Sequence, residues 1–161
     1  MDLNQRNRIE ELYIEMFDKM VIYARINLGS DTLAEEAVQE TFRIACQKPK
    51  ELCDSPNPQG WLVLTLRNTI RNMKSSRATA QRIIETYVMM LNKERTFAID
   101  HIDPQVLYGN LADSDEFKLL TELAIEGRSH EEMAYSRNIS INACKKRVQR
   151  AKALLRKKIG K

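Results

Sequence analysis

Apolar residues recur at helical spacing along most of this chain. Over residues 5 to 28, Ile9, Leu12, Tyr13, Met16, Met20, Tyr23 and Ala24 share one side of a 3.6-residue period, and Gly29 suits a left-handed stop. Ser30 to Thr32 offers N-cap chemistry, Thr32 with Glu35 fits a capping box, and Ala34, Ala37, Val38, Thr41 and Ala45 mark the inward stripe of a second helix ending near Gln47. KPKELCDSPNPQG reads as a loop, because Pro49, Pro56 and Pro58 each lack a backbone donor and bias their predecessors away from helix. A third helix is predicted from about Trp61 to beyond Arg71, with Leu62, Leu66, Ile70 and Met73 facing inward.

Residues 79 to 96 predict a further helix with Ile83, Ile84, Tyr87, Val88 and Leu91 on one side, but the sequence names no partner for it. TFAIDHIDPQVLYGNLADS carries no period, which places a boundary between two units there. Ser114 then caps a helix over Phe117, Leu120 and Leu123 that is predicted to end at Gly127. Ser129 with Glu132 forms a second capping box, and Ser140 caps a last helix running to about Lys158. The expected fold is all-α. Two small helical domains, a three- to four-helix bundle over 1–77 and a helical unit over 114–161, are joined by a partly helical linker over 78–113.

Two short capped helices separated by Arg137-Asn138-Ile139-Ser140 have the spacing of a helix-turn-helix, whose second helix enters the major groove of DNA. Asn138 fits the turn, since Asn tolerates positive φ better than other non-glycine residues. In the last helix Ile141, Cys144, Val148, Ala151 and Leu155 follow a 3-4-3-4 spacing and point inward. The opposite side then shows Asn142, Lys146, Gln149, Ala153 and Arg156, with Lys145, Arg147 and Arg150 on the flanks. That mixture suits base edges in the middle and phosphates at the margins.

Charge sharpens this picture. The formal net charge of +4 conceals 11 Lys/Arg against 11 Asp/Glu in residues 1–77, and 12 against 6 in residues 114–161. Arg137 to Lys161 holds ten Lys/Arg and no acid, the footprint of a phosphate-neutralising surface or else of a solvated basic tail. Asp31 to Glu40 holds four acids and no base, whereas Trp61 to Ile84 holds five bases and no acid. One surface repels nucleic acid while another attracts it.

The composition (43% hydrophobic, 30% charged, five Gly, four Pro) suits a helical globular protein and argues against collagen-like, disordered or disulfide-scaffold classes. The apolar runs Met20 to Ala24, Trp61 to Leu64 and Tyr87 to Leu91 fall short of the about 20 residues of a membrane span, and the start MDLNQRNRIEE has no apolar signal region, so a cytoplasmic protein is expected. Cys46, Cys53 and Cys144 lack ligand or disulfide spacing, and neither they nor His101 and His130 announce a nucleophile, a metal site or a cofactor. A catalytic role is not expected.

EGRSHEEMAYSRNISINACKKRVQRAKALLRKKI resembles region 4 of bacterial sigma-70 family factors of the extracytoplasmic-function (ECF) group, which reads the −35 promoter element. DTLAEEAVQETFRIA and PNPQGWLVLTLRNTIRNMKSSR resemble the two helices of region 2 that dock the core polymerase and engage the −10 element. The likeness covers residues 5 to 77 and 114 to 158, and AVQETF with WL-x4-RN makes it far more specific than a lone helix-turn-helix. It departs at Asn72, where an acid is usual, at Asn138, where glycine is usual, and at LADSDEF, which lacks a Leu-Pro start.

The resemblance implies a bacterial alternative sigma factor that binds core RNA polymerase, through its β′ and β subunits, and promoter DNA. It admits an inhibitory anti-sigma factor as a further partner. Glu35, Glu36, Gln39, Glu40 and Arg43 lie opposite the apolar stripe of the second helix and would dock the β′ coiled coil; on their own they equally describe a solvated face. By the same likeness Asn57, Gln59, Trp61, Arg67, Asn68, Arg71, Asn72, Lys74 and Ser75 would hold the −10 strand, with Asn57 and Gln59 beside a base-capturing pocket. Trp61 has two readings, as a wedge at the strand junction or as packing against the first helix. Ser140, Asn142, Lys145, Lys146, Arg147, Gln149 and Arg150 would contact the −35 duplex. The alternative is a free-standing helix-turn-helix regulator that does not bind polymerase and uses its N-terminal helices to dimerise.

Overall fold

A computed structural model of the chain describes residues 1–97 and 114–160, so the predicted boundary stretch falls almost wholly outside the described residues. Every regular element described is helical: α1 (Leu3–Leu28), α2 (Asp31–Gln47), α3 (Pro49–Cys53), α4 (Pro58–Phe97), α5 (Asp115–Ala124), α6 (His130–Arg137) and α7 (Ile141–Ile159). The fold is all-α, as expected. The chain divides into two compact units, Met1–Ser75 and Ser76–Lys161, and α4 contributes its first part to one and the remainder to the other. Among the described residues no helix is long and apolar enough to cross a membrane.

The first unit forms around the stripes read from the sequence. Asp2 and Gln5 build a capping box at the start of α1, and Gly29 ends it at φ 70°. Ile9, Leu12, Met16, Met20 and Ala24 are buried against Ala34, Ala37, Val38, Phe42 and Ala45 of α2 and Leu62, Leu66 and Ile70 of α4. Each fully buried leucine here is worth about 1.5–3 kcal/mol relative to exposure. Tyr13, expected in the core, is 41% exposed but lies 4.9 Å from both Phe17 and Phe42, ring centre to ring centre.

Three local expectations are corrected in this unit. The cap of α2 is Ser30, whose Oγ accepts from the Leu33 backbone N–H, because the helix has already begun at Asp31; Thr32 and Glu35 therefore form no capping box. The proline-rich loop contains α3, since Pro49 stands at the first helical position, where its missing donor costs nothing, and Leu52 is fully buried. Likewise α4 starts at Pro58 rather than Trp61: the Asn57 side chain accepts from the Gly60 backbone N–H at 3.0 Å, as an N-cap does.

The second unit corrects the domain reading. Residues 78 to 91, expected inside a linker, belong to it, as do Ser76 and Arg77, expected in the first domain: Ala80, Ile83, Ile84 and Tyr87 of α4 share a core with Leu119, Leu120 and Leu123 of α5, Met133 and Ala134 of α6, and Cys144, Val148, Ala151 and Leu155 of α7. The helix expected from about Trp61 to beyond Arg71 and the one expected over 79–96 are one, because NMKSSRAT between them holds neither glycine nor proline to end it. Helix α5 stops at Ala124, three residues before Gly127, which takes φ 67° in the turn that follows. Ser114, Ser129 and Ser140 cap α5, α6 and α7 as predicted, with the Ser129–Glu132 box complete.

Candidate nucleic-acid interfaces

The turn between α6 and α7 is built by Asn138 at φ 52°, whose N–H is donated to the Tyr135 carbonyl while Ile139 donates to Ala134 at 3.0 Å. That pairing closes the end of α6 and turns the chain into Ser140. Upstream, Glu122 of α5 accepts two hydrogen bonds from Arg137, at 2.8 and 3.0 Å, and one from Arg128 at 3.1 Å. These bonds, Arg137's foremost, hold the Glu122 carboxyl below its ordinary range against the opposing effect of partial burial. The node ties the last residue of α6 to α5 and so fixes the turn that aims α7.

Helix α7 buries Cys144, Val148, Ala151 and Leu155, whereas Ile141, predicted to be inward, is 39% exposed because it sits at the helix's first turn, beyond the packed stripe. Asn142, Lys146, Arg147, Gln149 and Arg150 are exposed; Lys145 is half-buried and engaged within the protein. Ser140 Oγ accepts from the Ala143 backbone N–H, so its first role is as a cap. Two further bases of the acid-free tract, Arg137 and Lys152, are turned away from the surface. Arg137 serves Glu122, and Lys152 is 5% exposed with its Nζ 2.6 Å from Ser76 Oγ of α4. Burial lowers the Lys152 pKa. Arg147 and Arg150 line a cleft of about 510 Å³ whose opposite wall holds Asp115 and Glu116, so acids stand near them that the local sequence does not show. Tyr135, 89% exposed on α6, is an aromatic the sequence reading passed over.

In the first unit the candidate residues of α4 divide between two flanks. Trp61, Asn68, Asn72 and Ser75 fall on one, by the helical period; Trp61 is half-buried and packs on the core, the second of its two readings, while the other three are exposed. Arg67, Arg71 and Lys74, also exposed, fall on the other and line a groove of about 340 Å³ with Tyr23 and Asn27 of α1. Arg67 Nε donates to the Tyr23 hydroxyl at 3.2 Å, and its guanidinium carbon stands 6.0 Å from the ring centre. Tyr23 and Asn27 were missed because Tyr23 fits the apolar stripe; the spacing of four and the absence of acid from Lys19 to Ser30 are the signals that mark them.

Asn57 and Gln59 are engaged close to home, Asn57 as the cap of α4 and Gln59 through Nε2 to Glu15 Oε1 at 3.2 Å. On α2, Glu35, Gln39 and Arg43 are exposed and Glu36 and Glu40 half-buried, all outside the core. Arg43 is bound through Nε and Nη2 to Glu40, at 2.8 and 2.5 Å, so the face presents its acids with one base folded onto them. The chain matches no protein-family model, no curated protein and no solved structure.

Proposed function

We propose that this chain is an alternative sigma factor of the ECF group, which binds core RNA polymerase and directs promoter-specific initiation. The single observation that carries the reading is the capped α6–α7 pair around Asn138, with Asn142, Lys146, Gln149 and Arg150 exposed on an α7 that contains no acid. In this reading α7 enters the major groove of the −35 element. Asn142 and Gln149 offer donors and acceptors to base edges, Lys146 stands between them, and Arg147 and Arg150 neutralise phosphates. The acidic outer face of α2 docks the basic coiled coil of β′, and α4 takes the nontemplate strand of the −10 element as it leaves the duplex. The chain supplies recruitment and strand capture, and performs no covalent step.

The test is transcription in vitro from a library of bacterial promoter fragments with sigma-free core polymerase. Addition of the chain is expected to start transcripts at defined positions that core alone does not use, with Lys146→Ala or Gln149→Ala relaxing the choice of upstream element. A chain that binds the same fragments yet starts no transcript would point to the free-standing regulator.

A further inference from the structure

The cleft between the first turn of α5 and the exposed side of α7, within the second unit, carries charge of both signs and joins neither to the other. Arg147 and Arg150 stand at i and i+3 on α7, with Asp115 and Glu116 on the opposite wall. No ion pair closes across it: the side chains of Asp115, Arg147 and Arg150 make no hydrogen bond or ion pair among the described residues. Glu116 Oε2 accepts from the Ser114 hydroxyl at 2.9 Å; its own backbone N–H, then that hydroxyl, hold its carboxyl below the ordinary range, so it is ionised at neutral pH. Arg137, which also lines the cleft, is already bound by Glu122. Between the charged walls lie Leu119 and Ala151, both buried, and Leu154, which is 45% exposed and apolar in a basic stretch of helix. Two cations and two anions that face one space without touching are joined by a ligand that is itself dipolar.

We infer that this cleft binds a free α-amino acid with an apolar side chain: Arg147 and Arg150 take its carboxylate, Asp115 and Glu116 its ammonium, and Leu154 its side chain. The size fits, since a cavity of about 510 Å³ is roughly 10 Å across if taken as a sphere, within the range of small-molecule sites. An α-amino acid with a charge-assisted hydrogen bond of about 2.8 Å at each end spans about 9 Å. The charge fits as well. With Arg137 and Glu122 neutralising each other, two acids and two bases leave the walls neutral, which favours a zwitterion over a simple anion or cation. Its consequence rests on the proposed function, in which Arg147 and Arg150 neutralise phosphates of the −35 element: a bound amino acid competes with DNA for the same two side chains.

The test is calorimetric titration of the full chain, without DNA, with L-leucine, L-methionine and L-phenylalanine. At least one is expected to bind saturably with a Kd below about 1 mM, and glycine, which lacks the side chain, about tenfold more weakly or worse. For the amino acid that binds, its amide, which has no carboxylate, and its deaminated analogue, which has no ammonium, should each lose about tenfold. Asp115→Asn with Glu116→Gln should no longer distinguish the amino acid from the deaminated analogue, and Arg147→Gln with Arg150→Gln should no longer distinguish it from the amide. None of the four side chains lies in the core, so both double variants are expected to keep the parent's helicity, and loss of discrimination against one analogue alone does not follow from misfolding.

Absence of saturable binding by all three amino acids up to about 10 mM would overturn the site. So would equal affinity for the deaminated analogue, which would make the cleft an anion site, or for the amide, which would make it a cation site. Binding unchanged in both double variants would place the amino acid elsewhere on the chain. The competition is read separately, by anisotropy of a fluorescein-labelled mixed-sequence duplex: saturating amino acid should weaken duplex binding about fivefold in the parent and not in Arg147→Gln with Arg150→Gln. Duplex affinity untouched by the amino acid would overturn the competition. A chain that binds the amino acid but neither duplex nor core polymerase retains the site and loses the proposed function, and one that binds both macromolecules but no amino acid loses the site alone.

Discussion

At Gly60 a single hydrogen atom stands where any other residue would place a carbon. A Cβ there would lie 2.5 Å from Asn57 Nδ2, so Gly60→Ala must turn the Asn57 side chain away and with it the cap of α4. The expected cost is about 1 kcal/mol, read as a lower midpoint in chemical denaturation. Glu122 is the other residue on which local geometry depends. Its folded pKa lies below the ordinary 4.5, so its stabilisation is complete above that value and is lost as pH falls through the lowered one. Glu122→Gln should cost about 1–3 kcal/mol at neutral pH and flatten the acid limb of a melting profile. A profile that keeps its acid limb would assign that limb to other carboxylates. Residues of this kind are unevenly legible in a sequence. Asn138 is, because positive φ selects a short list of residue types; the partners of Glu122 are not, because Arg137 lies 15 positions away and only the packing of α5 on α6 brings them together.

Among the elements, those with a long, one-sided apolar stripe were readable, and α1, α2 and α7 end within two or so residues of their predicted limits. The misreadings are tertiary or positional. Pro49 and Pro58 read as breakers in the sequence, yet they start α3 and α4. The apolar side of residues 79–96 had no visible partner, because α5 and α7, which cover it, begin only at Asp115 and Ile141. The same packing explains Lys152, a base in a basic face that the structure turns inward. Its four-carbon stem joins the core while its ammonium reaches Ser76 of α4. Because burial lowers its pKa from 10.5, the unfolded chain binds the proton more tightly, and stability should rise with pH as it passes from the folded value toward 10.5. Lys152→Met is expected to remove that alkaline rise from a melting profile; persistence of the rise would mean that Lys152 is not its source.

At the scale of the whole molecule the chain sorts its charge by surface. The acids of α2 lie on one exposed face of the first unit, the bases of α4 line a groove in that same unit, and α7 of the second unit presents a side without acid. This sorting was legible in the sequence, since helical period and charge together assign each residue to a face; what was not legible is which bases are consumed internally, as Arg137 and Lys152 are. Under the proposed function the acidic face of α2 docks core polymerase, a contact that a free-standing DNA-binding regulator does not make. The most direct measurement is therefore binding of the purified chain to sigma-free core RNA polymerase in competition with a housekeeping sigma factor. Tight, competitive binding that is abolished by Glu36→Lys with Glu40→Lys is the predicted result. Absence of binding, with salt-sensitive DNA binding retained, would contradict it and leave α2 with an ordinary solvated face.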